Sequence, residues 1–161
     1  MLIWFAAVSV TGVALVFGSP NLDYRLVMVG SLLPLLESAF WGRGLLHSVV
    51  FNGALLFAVM LLARGRRSTQ RRWLGLPIGT FSHLVLDGTW ADDGVFWWPF
   101  RGQSALGPGG VSDFERFPEI LLLDLVGLMV GWWAWRRFHL SEQSVRRALL
   151  TDGRLPALRK S

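Results

Sequence analysis

At 161 residues the chain is long enough for one domain and short for two. Hydrophobic residues make up 52% of it, nine residues are Trp, and the mean hydropathy is +0.43, which argues against an ordinary soluble domain. Cysteine is missing, so disulfides and thiolate metal sites are excluded. The net charge of +5 is carried by arginines clustered beside apolar runs, a pattern of membrane proteins rather than of nucleic-acid binders.

Five segments, 2–17, 24–41, 44–63, 73–90 and 119–135, are predicted to cross the membrane. Each approaches the roughly 20 residues that span a hydrocarbon core of about 30 Å. Each must be helical, because backbone groups facing lipid have only one another to bond. The first segment has no basic residue before it, the first in the chain being Arg25, so it reads as a span rather than a cleaved signal. The second and fourth are the less apolar, with Pro34 and Pro77 and several ionisable groups. The expected fold is therefore an all-α integral membrane bundle of about five helices.

Arginine and lysine beside span ends are retained on the cytoplasmic side. The connection "ARGRRSTQRRW" carries five arginines in 64–72, and the tail from Arg136 adds six more and Lys160. Placing both inside puts the N-terminus out and the C-terminus in, with 13 basic residues inside and only Arg43, Arg101 and Arg116 outside. Residues 1–135 are read as the bundle, with an outer loop over 91–118. Residues 136–161 are read as a cytoplasmic basic tail, in which "SEQSVRRALLTDGRL" has the spacing of a helix on the anionic inner leaflet. The "FWWPF" of the outer loop suits an interfacial aromatic anchor. The length of that loop suits a lid or binding surface.

The polar residues of the spans fall at one depth. At about 1.5 Å per helical residue, Glu37, His47, His83, Asp87 and Asp124 all lie within roughly 10 Å of the outer end of their helices. His83 and Asp87 share a helix face, with Thr80 beside them. Charges in the hydrocarbon face the bundle interior and pair. One reading is structural glue, with Arg43, Ser48 or Ser82 as partners and Asn52 bonding across helices. The other is a metal site: mixed imidazole and carboxylate suits Zn²⁺, with Mn²⁺ or Fe²⁺ as alternatives. His139, after "WRRF" on the inner side, is far from the others in depth.

These residues resemble the YdjM-type membrane-bound metal-dependent hydrolases, whose pattern is an acidic "PDxD", then "HRGxTHS", then "GxxSHLxLD" followed by "PF". Here they stand as "PLLE" (34–37), "GRGLLHS" (42–48) and "GTFSHLVLD" (79–87) with "WWPF" at 97–100. The resemblance covers roughly residues 30–100. His47, Ser48, Arg43, Ser82, His83 and Asp87 carry over, and Glu37 stands for the second aspartate. Gly42, Leu46 and Leu35 replace a histidine, a threonine and an aspartate of the pattern, which argues against a full two-metal site.

The resemblance implies a metal-dependent hydrolase of the prokaryotic cell membrane, working at the outer face on a lipid-linked substrate such as a phosphoester. His47, His83 and Asp87 are the expected metal ligands, with Glu37 as a fourth ligand or as catalytic base. Arg43 is expected at the catalytic centre and, with Arg101 and Asp124, on the substrate. The alternative is a non-catalytic membrane subunit whose polar cluster holds helices together or docks a protein partner or a second copy. A transporter fits less well, because the polar groups crowd one side and no repeat pair appears.

Overall fold

The computed structural model describes residues 1–41, 44–101 and 117–155, and the described residues are all-helical. Helix α1 spans Leu2–Phe17 and α2 spans Tyr24–Trp41. The next predicted segment opens differently. Leu45–His47 form a single 3-10 turn, and α3 (Val49–Leu62) begins only after Ser48, whose hydroxyl accepts the Val50 N–H as a helix cap. His47 thus sits on the turn before the helix, not three residues inside it. The fourth segment is shorter than predicted, α5 (Gly75–Asp87), and the arginine-rich connection before it forms a helix of its own, α4 (Arg67–Trp73). Gly88, at φ 71°, stops α5 in the left-handed conformation that glycine tolerates. A 3-10 turn over Thr89–Ala91 and the one-turn α6 (Asp93–Phe96) follow. Helix α7 runs Phe117–Arg137 and α8 runs Gln143–Asp152.

Among the described residues, only the segment Pro118–Arg137 within α7, 20 residues, is long and apolar enough by itself to cross a membrane. Helices α1 and α3 are apolar but shorter. Their outward faces carry large apolar side chains in the open, among them Val16, Phe57 and Leu62. Trp132 on α7 is exposed in the same way.

The helices alternate in direction. The backbone of α5 lies against that of α2, because Gly75 and Gly79 leave room for Asp23, Val27 and Ser31, and Gly30 leaves room for Leu76. A Cβ on Gly79 would overlap the Val27 carbonyl and come within 2.9 Å of the Ser31 nitrogen. The spacing "GLPIG" is the small-xxx-small pattern that brings membrane helices together. It recurs as "GLMVG" in α7, where a Cβ on Gly127 would lie 2.7 Å from the Trp4 backbone and Gly131 meets Ala7. The pairs 27/79 and 31/83 rise together, so α2 and α5 are parallel. The pairs 4/127 and 7/131 make α1 and α7 parallel as well. Phe5 near the start of α1 stacks on His83 near the end of α5, so the two pairs run in opposite directions.

The bundle therefore has two unlike ends. One gathers the start of α1, the end of α2, the turn at His47, the end of α5 and the start of α7. Of the described arginines it holds Arg101 alone. The other end gathers α4, α8 and the remaining described arginines. Its apolar packing joins Val13, Ala14, Leu22, Tyr24, Val27, Ala134, Phe138 and Leu155. The tail helix α8 is tied in here: the Tyr24 N–H donates to the Gly153 carbonyl (2.8 Å), and Arg25 donates to the Leu150 and Thr151 carbonyls (2.7 and 2.9 Å).

Candidate metal centre

Beneath the arginine-poor end, His47 and His83 are each 1% exposed. The two rings meet edge to face, with centroids 5.3 Å apart. Asp87, one helical turn after His83, joins them. One potential ligand atom from each of the three residues lies within 4.8 Å of the others. A tetrahedral ion with bonds of about 2.0–2.2 Å spaces its ligands roughly 3.4 Å apart, somewhat closer than the outer limit of this group. The donors are two imidazole nitrogens and a carboxylate oxygen, a set that several divalent metals accept.

The outer contacts orient these donors. His83 Nδ1 lies 2.7 Å from the Ser31 carbonyl, which can only accept, so Nδ1 carries the proton and Nε2 is the nitrogen that could ligate an ion. Phe5 stacks on the face of the same ring, at 3.9 Å between centroids and 24° between planes. His47 Nδ1 faces Glu37 Oε2 at 3.3 Å, which likewise assigns the proton to Nδ1. The contact of His47 Nε2 with Ser38 Oγ is longer, 3.4 Å, and the Ser38 hydroxyl donates to the Pro34 carbonyl at 2.9 Å. Nε2 therefore keeps its lone pair for a Lewis acid. On Asp87, Oδ2 accepts from the buried Thr89 hydroxyl at 2.8 Å.

The other expected site residues are placed as follows. Glu37 stands behind His47: its Oε2 takes the Leu46 N–H (2.9 Å) and faces His47 Nδ1, outside the group His47, His83 and Asp87. Asp124 serves the start of α1, accepting from the Trp4 N–H at 3.1 Å and lying 3.0 Å from the Met1 amino group. A carboxylate there answers the open N–H groups and positive dipole of a helix start. Arg101 is 71% exposed and pairs with Asp93 at 3.4 Å. Arg43 lies outside the described residues, as does loop 102–116.

Thr80 and Ser82 bond back within α5, to Pro77 and Ile78. Asn52 Nδ2 donates to the Leu46 and Ser48 carbonyls at 3.1 and 3.0 Å, bracing the turn that presents His47. Ser48 also donates to the Trp98 carbonyl (2.5 Å), which ties the "FWWPF" segment beside the histidines. Exposed His139 follows α7 at the arginine-rich end, away from the cluster. Phe5, Ser31 and Thr89 are contacts that reading along the sequence missed. Only Thr89 left a local trace, as the hydroxyl just after the Asp-Gly that ends α5.

A helical protein with apolar flanks, one basic end and buried histidines converging on a carboxylate under the other end is a membrane protein with a candidate metal site. The chain belongs to the YdjM inner membrane protein family, which matches residues 3–148. It is accordingly a protein of the prokaryotic cell membrane. No curated protein and no solved structure matches it.

Proposed function

We propose that this chain is a membrane-embedded metal-dependent hydrolase whose site opens at the outer face. The observation that carries the reading is the approach of His47, His83 and Asp87 within 4.8 Å, each with an orienting partner. The donor set fits a single divalent ion, Zn²⁺ first, with Mn²⁺ or Fe²⁺ as alternatives. Bound there, such an ion would supply Lewis acidity and bring the pKa of a water toward 7.

The chain's own residues do the rest. Ser31, Phe5 and Glu37 hold the imidazoles in the tautomer and orientation that ligation needs. Thr89 holds one Asp87 oxygen and so directs the carboxylate. The buried walls exclude bulk water. The "FWWPF" segment, fastened through Ser48, covers the approach from the headgroup layer, where an aromatic belt is at home. Arg101 is the described arginine at this end for a lipid-linked phosphoester, and the motif adds Arg43 as a candidate.

The proposal includes orientation. The five predicted segments cross the membrane in alternating directions, with the arginine-rich end in the cytoplasm. Helices α2 and α5, short or polar by themselves, are carried by their close glycine contact.

The alternative is a non-catalytic membrane subunit. The observation favouring it is the substitution of Leu35, Gly42 and Leu46 into otherwise matching motifs, which removes potential ligands. Metal analysis of the purified protein separates the two readings. The hydrolase predicts about one divalent ion per chain, lost in His83→Ala, together with hydrolysis of a lipid phosphoester. Equal background metal in both proteins would overturn it.

A further inference from the structure

At the opposite end of the molecule a cavity of about 690 Å³ opens between the α1–α2 connection, α4 and the end of α8. Five arginines line it, Arg25, Arg67, Arg71, Arg72 and Arg154, against two acids, Asp23 and Asp152. Asp23 is already occupied. Buried at 2% exposure, it takes Arg25 through both oxygens (3.1 and 2.9 Å) and Arg72 Nε at 2.9 Å. Among the described residues, Arg67, Arg71 and Arg154 have no carboxylate partner. Three guanidiniums from two distant segments thus face one cleft in which Asp152 is the one further acid among the lining residues. They are held there because Asp23 and the Arg25 bonds to Leu150 and Thr151 fasten α8 to α2. Like charges repel, so the arrangement gains most from a multivalent anion seated among them. Guanidinium forks match phosphate oxygens in pairs. Ser68 and Thr69 add hydroxyls, and Trp73 and Leu26 add an apolar wall, as suits a headgroup continuing into lipid. The volume lies within the roughly 300–1,000 Å³ of small-molecule sites.

We infer that this cleft binds a phosphate-bearing anion, with Arg67, Arg71 and Arg154 as its principal contacts. Two sources share that chemistry: an anionic phospholipid headgroup of the inner leaflet and a soluble diphosphate. Basic pockets on the cytoplasmic side of membrane proteins commonly take the first. This assignment is independent of the metal site.

The test uses the full chain in nonionic detergent. One arm titrates inorganic pyrophosphate calorimetrically, and the other follows retention of cardiolipin against phosphatidylcholine by native mass spectrometry. Binding in either arm supports the inference and identifies the source. The combined variant Arg67→Gln, Arg71→Gln and Arg154→Gln is expected to bind at least about tenfold more weakly, since it removes three charge-assisted contacts. Arg64→Gln with Arg147→Gln, basic residues outside the cleft, is expected to bind as wild type does. Arg67→Gln and Arg71→Gln singly are each expected to weaken binding several-fold, which keeps the test open if the triple variant does not fold. No binding in either arm, or equal weakening by the Arg64/Arg147 variant, would overturn the inference.

Discussion

A histidine in an apolar helix persists when both of its nitrogens have work. His83 gives its Nδ1 proton to a backbone carbonyl that cannot donate in return, and the ring is pinned by Phe5. His47 has a softer arrangement, with Glu37 behind it as the carboxylate of a carboxylate–histidine pair. Removing such an outer partner typically costs about 10- to 100-fold in metal affinity. Glu37→Gln should therefore weaken metal binding by roughly that factor in a competitive chelator titration, with the fold kept. Thr89→Val should act in the same direction, by about tenfold, through the freed Asp87 oxygen. If Glu37→Gln leaves affinity unchanged, the orienting role of Glu37 is wrong.

At the level of elements, glycine decides which helices touch. Gly79 lets α2 and α5 meet backbone to backbone, and the His83–Ser31 bond forms one turn further on. Gly79→Ala forces the two helices apart and should destabilise the protein by about 1–3 kcal/mol. The same change at Gly53 meets nothing within 4 Å and should be neutral or stabilising by up to about 1 kcal/mol through helix propensity. Thermal unfolding in detergent compares the two. Equal effects would mean that the glycine contact does not hold the pair together. The bounds of α1 and α2 were legible from apolar run length and agree with 2–17 and 24–41. The opening of α3 was not, because Ser48 competes for the helix start and leaves "LLH" as a 3-10 turn. Nor was the small-xxx-small spacing read, although it stands in the sequence.

For the molecule as a whole, the junction of α2, α4 and α8 rests on one carboxylate. Burial by itself would raise the Asp23 pKa. The hydrogen bonds from Arg25 and Arg72 outweigh that and hold it below its ordinary value of 3.8. A folded-state pKa below the unfolded one gives stability that is complete at neutral pH, above 3.8, and is lost as pH falls through the folded value. The tail helix should stay docked at pH 7 and loosen in acid below 3.8, read as amide exchange in 143–152. Asp23→Asn should loosen it already at neutral pH. Gly153 completes the junction, because at φ 70° any Cβ there would collide with the Asp23 carboxylate. Unchanged exchange across that pH range would show that the apolar contacts of Leu149 and Leu155 suffice without the ion pairs.

Composition and run length, by themselves, determined that the chain is helical and belongs in a membrane. Lipid leaves a backbone few ways to satisfy its hydrogen bonds, so local sequence carries that information. Motif order likewise singled out His47, His83 and Asp87, since residues four apart on a helix must share a face. Tertiary structure alone decided which groups meet across helices. It set Glu37 behind His47 and Asp124 at the start of α1, and brought Phe5 and Ser31 to a ring far along the chain. Those contacts depend on where backbones can approach, which glycine positions and helix direction settle jointly and no single segment encodes.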